Sequence, residues 1–237
     1  MKIKNKRLAL IVSCLWIVIA SLSSCSKDAV EPDQKTSTLT TTAAAKDTFK
    51  AVSQLKTQST IVAAYRETYQ GFKLEYDATA NTTAIKNAAH HQLDIIVKSG
   101  LKTGLTNMRT ITAIRFYSDG TDNILYSGGV VNINNLNVFI NIDKDGGTVL
   151  FHELSHYLND KFVSGGIGNS RLVTLYNAAV SSKKYPANAY SMANVAEYFA
   201  EDMCAYFPGQ KNSAPATKAQ LVAWDPNMAS YIQSLNF

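Results

Sequence analysis

Residues 152–156 read His-Glu-Leu-Ser-His, inside a stretch whose apolar residues recur at helical spacing. An α-helix brings i and i+4 to one face, one turn apart. His152 and His156 can therefore aim both imidazoles at one metal ion, while Glu153 leans toward the open side of that ion. Two imidazole ligands and an adjacent carboxylate base make up the H-E-x-x-H arrangement that metalloproteases use. Five residues of common type also recur by chance, so the motif needs a third ligand and a scaffold.

At 100° per residue, Leu150, Phe151, Leu154, Tyr157 and Leu158 fall on one arc of a helix over 148–160, with His152, Glu153, His156 and Asp160 opposite. The apolar arc alone accounts for docking, so packing does not require the histidines. The bland alternative is a pair of surface histidines. A second helix, over about 192–206, offers the missing ligand. Its stripe is Val195, Phe199, Met203 and Tyr206, with Glu197, Glu201 and Cys204 facing away. Ala193, Ala196 and Ala200 are small enough to let two helices approach closely. Two histidines and one glutamate, with a position left for water, form a catalytic set for Zn²⁺. Glu197 has a rival role as the third residue of a capping box behind Asn194. The ligand reading is preferred because Ser191 is an equally good cap one turn earlier. Glu201, one turn beyond Glu197, is either a hydrogen-bond partner for a ligand imidazole or a plain surface glutamate.

The segment from Tyr190 to Glu201, downstream of His152–His156, resembles the gluzincin family of lethal factor-like and Pro-Pro endopeptidase-like zinc metallopeptidases. In that family a tyrosine lies seven residues before the ligand glutamate, and a second glutamate follows four after it. Tyr190, Glu197 and Glu201 match all three. The resemblance implies that His152, His156 and Glu197 bind zinc, that Glu153 is the general base, that Tyr190 reaches the oxyanion, and that Glu201 supports a ligand from behind. It covers roughly 148–206. Cys204 departs from it without an assigned role, and no substrate pocket is recognisable, so family specificity does not carry over. Tyr185, in the same loop, competes with Tyr190, whose bland role is packing or a turn. His90 and His91 are adjacent on a helix, about 100° apart, and cannot share a metal. Trp224 reads as core or rim.

The elements that must position these residues follow from a change of period along the chain. Helical spacing runs through Phe49, Val52, Leu55, Ile61, Val62, Tyr65 and Tyr69, and again from Ile85 to Val97, stopping at Gly100. Alternation then predicts strands over 110–117 and near 131–133, and most clearly over 136–142, with Leu136, Val138, Ile140 and Ile142 on one side. This last strand would offer its edge to an extended substrate just before the metal-binding helix. Further helices are expected near 169–182 and in two short closing pieces, the last begun by Asp225-Pro226 and buried through Met228, Tyr231, Ile232 and Leu235. The class is α+β: a zincin-like domain with a small mixed sheet, an active-site helix and a mostly helical C-terminal half.

The N-terminus reads as an address. Lys2, Lys4, Lys6 and Arg7 precede an apolar run from Leu8 to Ala20, and Leu22-Ser23-Ser24-Cys25 resembles a bacterial lipobox. The expected organisation is a lipoprotein signal peptide over 1–24, a lipidated Cys25 with a flexible Ser/Thr/Ala-rich tether over 25–45, and one metallopeptidase domain over 46–237. That places the protein on the cell envelope, held to the membrane by lipid. Four of the 23 Lys+Arg lie before Cys25, leaving 19 bases against 18 acids, so charge gives no reason to expect nucleic acid. Cys14 lies inside the apolar run, and Cys204 is the one thiol left after Cys25, so no intramolecular disulfide is expected. The expected function is a zinc endopeptidase acting on protein or peptide substrates. The alternatives are a zinc amidase acting on cell-wall peptides and a non-catalytic zinc-containing binding lipoprotein.

Overall fold

The computed structural model describes residues 63–186, 188–209 and 214–237. The expected signal peptide, Cys25, the tether and the apolar residues 49–62 lie outside the described residues. The fold is mixed α+β, with a five-stranded sheet in the order β1-β2-β3-β5-β4. Strands β1 (Tyr65–Tyr69) and β2 (Phe72–Tyr76) form an antiparallel hairpin. Gln70 and Gly71 both take positive φ, 50° and 85°, as a two-residue turn between right-twisted strands demands. Phe72, Leu74 and Tyr76 alternate into the core, with Lys73 and Glu75 turned away. Tyr65 and Tyr69 therefore do not continue a helical stripe. Two tyrosines four apart fit either period, and the Gln70-Gly71 turn decides for the strand.

Helix α1 (Thr83–Lys98) starts at the Thr82 side chain, which accepts from Ile85 N. It buries Ile85, Ala88, Ala89, Gln92, Leu93 and Ile96, a stripe of helical period. A short α2 (Thr103–Met108) leads into β3 (Ala113–Phe116), parallel to β2. Strand β4 (Ile124–Ser127) is an edge, joined through Gly128-Gly129 to β5 (Val130–Ile133), which lies parallel to β3. The sequence reading missed β4, because a half-exposed edge strand carries little hydrophobic signal.

The expected strand over 136–142 is instead helix α3 (Leu136–Lys144). Its apolar run satisfies both periods: Leu136, Phe139 and Ile140 also share a helical face. The Asn135 side chain accepts from Val138 N and caps it. Phe139 is buried edge-on against Phe116, whereas Val138 is exposed, which a strand with one buried face would not allow. The edge presented to the candidate site is thus β4. Helix α4 (Val149–Phe162) follows, then α5 (Ser170–Ser181), a 3₁₀ turn at Tyr190–Met192, α6 (Val195–Tyr206), α7 (Lys218–Trp224) and α8 (Pro226–Ser234). Asp225 caps α8 with Pro226 at its first position, as the sequence suggests. No helix of the described residues is long and apolar enough to cross a membrane.

Candidate metal centre

Helix α4 is buried nearly all round. Leu150, Phe151, Leu154, Tyr157 and Leu158 sit in the core, yet His152 and Glu153 are also buried, facing α6 and β4 rather than solvent. Its N-terminus is satisfied from afar, as Gln92 of α1 accepts from Leu150 N at 3.0 Å. Helix α6 packs against α4. Its cap is Asn194, whose side chain accepts from Ala196 N and Glu197 N. Ser191 is therefore not the cap, contrary to the sequence preference, and its region is the 3₁₀ turn. Glu197 still does not turn back as a capping-box residue. Its carboxylate reaches across to α4.

Glu197 Oε2 lies 3.0 Å from His152 Nε2 and 3.5 Å from His156 Nε2, and the two imidazole nitrogens are 3.1 Å apart. Donor atoms about 2 Å from a tetrahedral ion are separated by roughly 3.3 Å, so this triangle has the edge length of one face of a zinc-type coordination shell. Glu197 Oε2 is buried and makes no hydrogen bond of acceptable angle despite these short separations. The three residues form a group that can hold a metal ion. Burial works against the charge of Glu197, but the two imidazoles outweigh it and hold the carboxyl at about 2.

Glu153 sits beside this triangle, and its Oε2 accepts from the Tyr126 amide of β4 at 2.6 Å. Burial pushes its pKa up, against the pull of the two imidazoles and the amide. Behind His152, its Nδ1 is 2.9 Å from Glu201 Oε1, and the buried Cys204 lies beside the same imidazole. Burial opposes protonation of His152, but Cys204, Glu197 and Glu201 together raise its pKa well above the ordinary value. Burial also raises the Cys204 thiol, which additionally meets Thr148. Glu201 thus stands behind the His152 imidazole rather than on the surface. Cys204, unassigned from sequence, joins it there.

Tyr190 is 60% exposed, and its ring lies 6.1 Å from that of His152. Burial of part of the ring, together with the charge of Glu197, raises its pKa and keeps the phenol protonated. Tyr185 is buried elsewhere, hydrogen-bonded to Asp202 at 2.8 Å, and does not face the triangle. His90 pairs with Glu67 and stacks on Tyr69, and His91 pairs with Asp143. Neither approaches the site. Trp224 lies at the rim, edge-on to Tyr185. The Tyr126 amide was not foreseeable, because a backbone donor has no residue signature.

No family model matches the chain, and no curated protein matches it. Among solved structures it is similar in layout to the Pro-Pro endopeptidase (PPEP-2) from Paenibacillus alvei, at 16% identity and a TM-score of 0.46, over 68% of this chain and 96% of that one.

Proposed function

We propose that the chain is a zinc-dependent endopeptidase, with His152, His156 and Glu197 as ligands and Glu153 as general base. The observation that carries this reading is the His-His-Glu triangle with a buried carboxylate beside it, pinned by the amide of an edge strand. A purely structural site needs no such base, and it closes its shell with four protein ligands. Zinc, when bound, brings the pKa of its water to about 7 and polarises a carbonyl. Glu153, with its raised pKa, is suited to take a proton from water at its carboxylate and later release it to the leaving nitrogen. Tyr190 keeps its phenolic proton and can donate it to the oxygen that gains charge as the carbonyl is attacked. Glu201 accepts from His152 Nδ1 and so directs the opposite nitrogen toward the triangle. The exposed backbone of β4 suits pairing with an extended peptide.

The test is metal content and hydrolysis of a degenerate peptide library. Wild-type protein should hold one zinc per chain. Glu153→Ala should keep that zinc and lose on the order of 100-fold or more in rate. A metal-free wild type, or an equally active mutant, would overturn the assignment. Cleavage confined to cell-wall peptides would favour the amidase alternative. We also propose, from Leu22-Ser23-Ser24-Cys25, that the exported chain is lipidated on Cys25. Cys25→Ser should move it from the detergent phase to the aqueous phase, and an unchanged partition would remove the anchor.

A further inference from the structure

The 3₁₀ turn that carries Tyr190 has little hold on the metal centre itself, yet both its flanks are tied to one buried cluster. Upstream, Tyr185 hydrogen-bonds Asp202 of α6, and Lys184 reaches Asp225 Oδ1 at 2.9 Å. Downstream, the Tyr176 hydroxyl of α5 donates to Met192 O at 3.0 Å. The ring of Tyr198 stands between them, 5.7 Å from Tyr176 and 5.8 Å from Tyr185, and its hydroxyl donates to Asp225 Oδ2 at 2.8 Å. Asp202, Asp225, Tyr185 and Tyr198 are all buried, far deeper than surface anchoring of a turn requires.

We infer that Tyr185 and Asp202 are positioning residues for Tyr190, fixing from inside the fold where its turn sits relative to the metal centre. The inference rests on the peptidase reading above. The two buried carboxyl groups have different partners. Asp225 accepts from the Lys184 ammonium, the Tyr198 hydroxyl and the Met228 amide at the start of α8. Asp202 has no cation partner among the described residues. Burial, with the charges of Asp225 and Glu201 adding to it, raises its pKa well above the ordinary value against the Tyr185 hydrogen bond. Its Oδ2 accepts from the Tyr185 hydroxyl at 2.8 Å. Tyr198, packed edge-on to the Tyr185 ring, donates its own proton to Asp225. Each of these two hydroxyls is committed to its own buried carboxyl group, Tyr185 to Asp202 and Tyr198 to Asp225, which makes the cluster stiff.

The test combines kinetics with a probe that does not depend on turnover. Tyr190→Phe alone should lower kcat on the order of 100-fold. Tyr185→Phe should lower kcat about tenfold with zinc content unchanged, and should cost less than about twofold when added to Tyr190→Phe, because it acts through that residue. With 3-fluorotyrosine in place of Tyr190, the ¹⁹F line should shift or broaden in Tyr185→Phe and in Asp202→Leu, but not in Asp202→Asn, which keeps a neutral hydrogen-bonding group. Equal losses in the two backgrounds, an unmoved ¹⁹F line, or an Asp202→Asn as damaged as Asp202→Leu would overturn the inference. If Tyr185→Phe does not fold, Tyr176→Phe at the other flank carries the same expectation. A wild type lacking Glu153-dependent hydrolysis would sink the peptidase reading instead, and the ¹⁹F comparison would still decide whether the cluster holds the turn.

Discussion

Of the three residues at the candidate centre, His152 is held from behind. His152 is backed by Glu201 and Cys204, and Glu197 sits on the first turn of a helix whose cap is a different residue. Removing a donor and removing its support should therefore have separable effects. Glu197→Ala should release zinc altogether. Glu201→Ala should leave a site that loads at higher metal concentration, weaker by roughly 10–100-fold. Equilibrium dialysis distinguishes the two, and the opposite pattern would make Glu201 the ligand. Glu153 differs from its neighbours in having an amide rather than a charge as its hydrogen-bond partner, so burial keeps its pKa high where imidazoles drive that of Glu197 low.

At the level of elements, the sheet and the helix pair are stabilised by different physics. Helices α4 and α6 each bury an apolar stripe, with Leu154, Phe199 and Met203 fully buried. The β1-β2-β3 side of the sheet adds ionic pairing on its outer face, where Glu75 of β2 meets Arg66 of β1 and Arg115 of β3 at 3.1 and 2.8 Å. Partial burial of Glu75 works against its charge, but the two guanidinium groups outweigh that and lower its pKa below the ordinary 4.5. Stability from a lowered carboxylate is present above the unfolded-state pKa and is lost as pH falls through the folded one. Glu75→Gln should accordingly cost about 1 kcal/mol at neutral pH and nothing once the wild-type group is protonated. Urea denaturation at pH 7 and near pH 3 checks this, and an equal loss at both would assign the effect to packing.

For the molecule as a whole, the centre joins two helices that are far apart in sequence, so metal binding is coupled to folding. Free zinc a hundredfold above its dissociation constant should raise the Tm by roughly 5–10 °C for a domain of this size. Glu197→Ala should abolish the rise. A thermal shift of equal size in that variant would mean that the ion binds elsewhere.

Much of this was legible in the chain before folding. The alternation of apolar and polar residues at helical period determines which face of α4 carries His152 and His156, and the same rule turns Glu197 and Glu201 of α6 to one side. These are properties of neighbours in sequence, and local backbone geometry fixes them. The apolar run 136–142 shows where that logic stops, since it fits a strand and a helix equally, and only burial of Phe139 against Phe116 selects α3. Asn194 over Ser191 as cap, β4 as the edge beside Glu153, and Cys204 behind His152 were likewise decided by tertiary structure. The last two depend on which distant group comes within 3–4 Å, and packing, not periodicity, sets that distance.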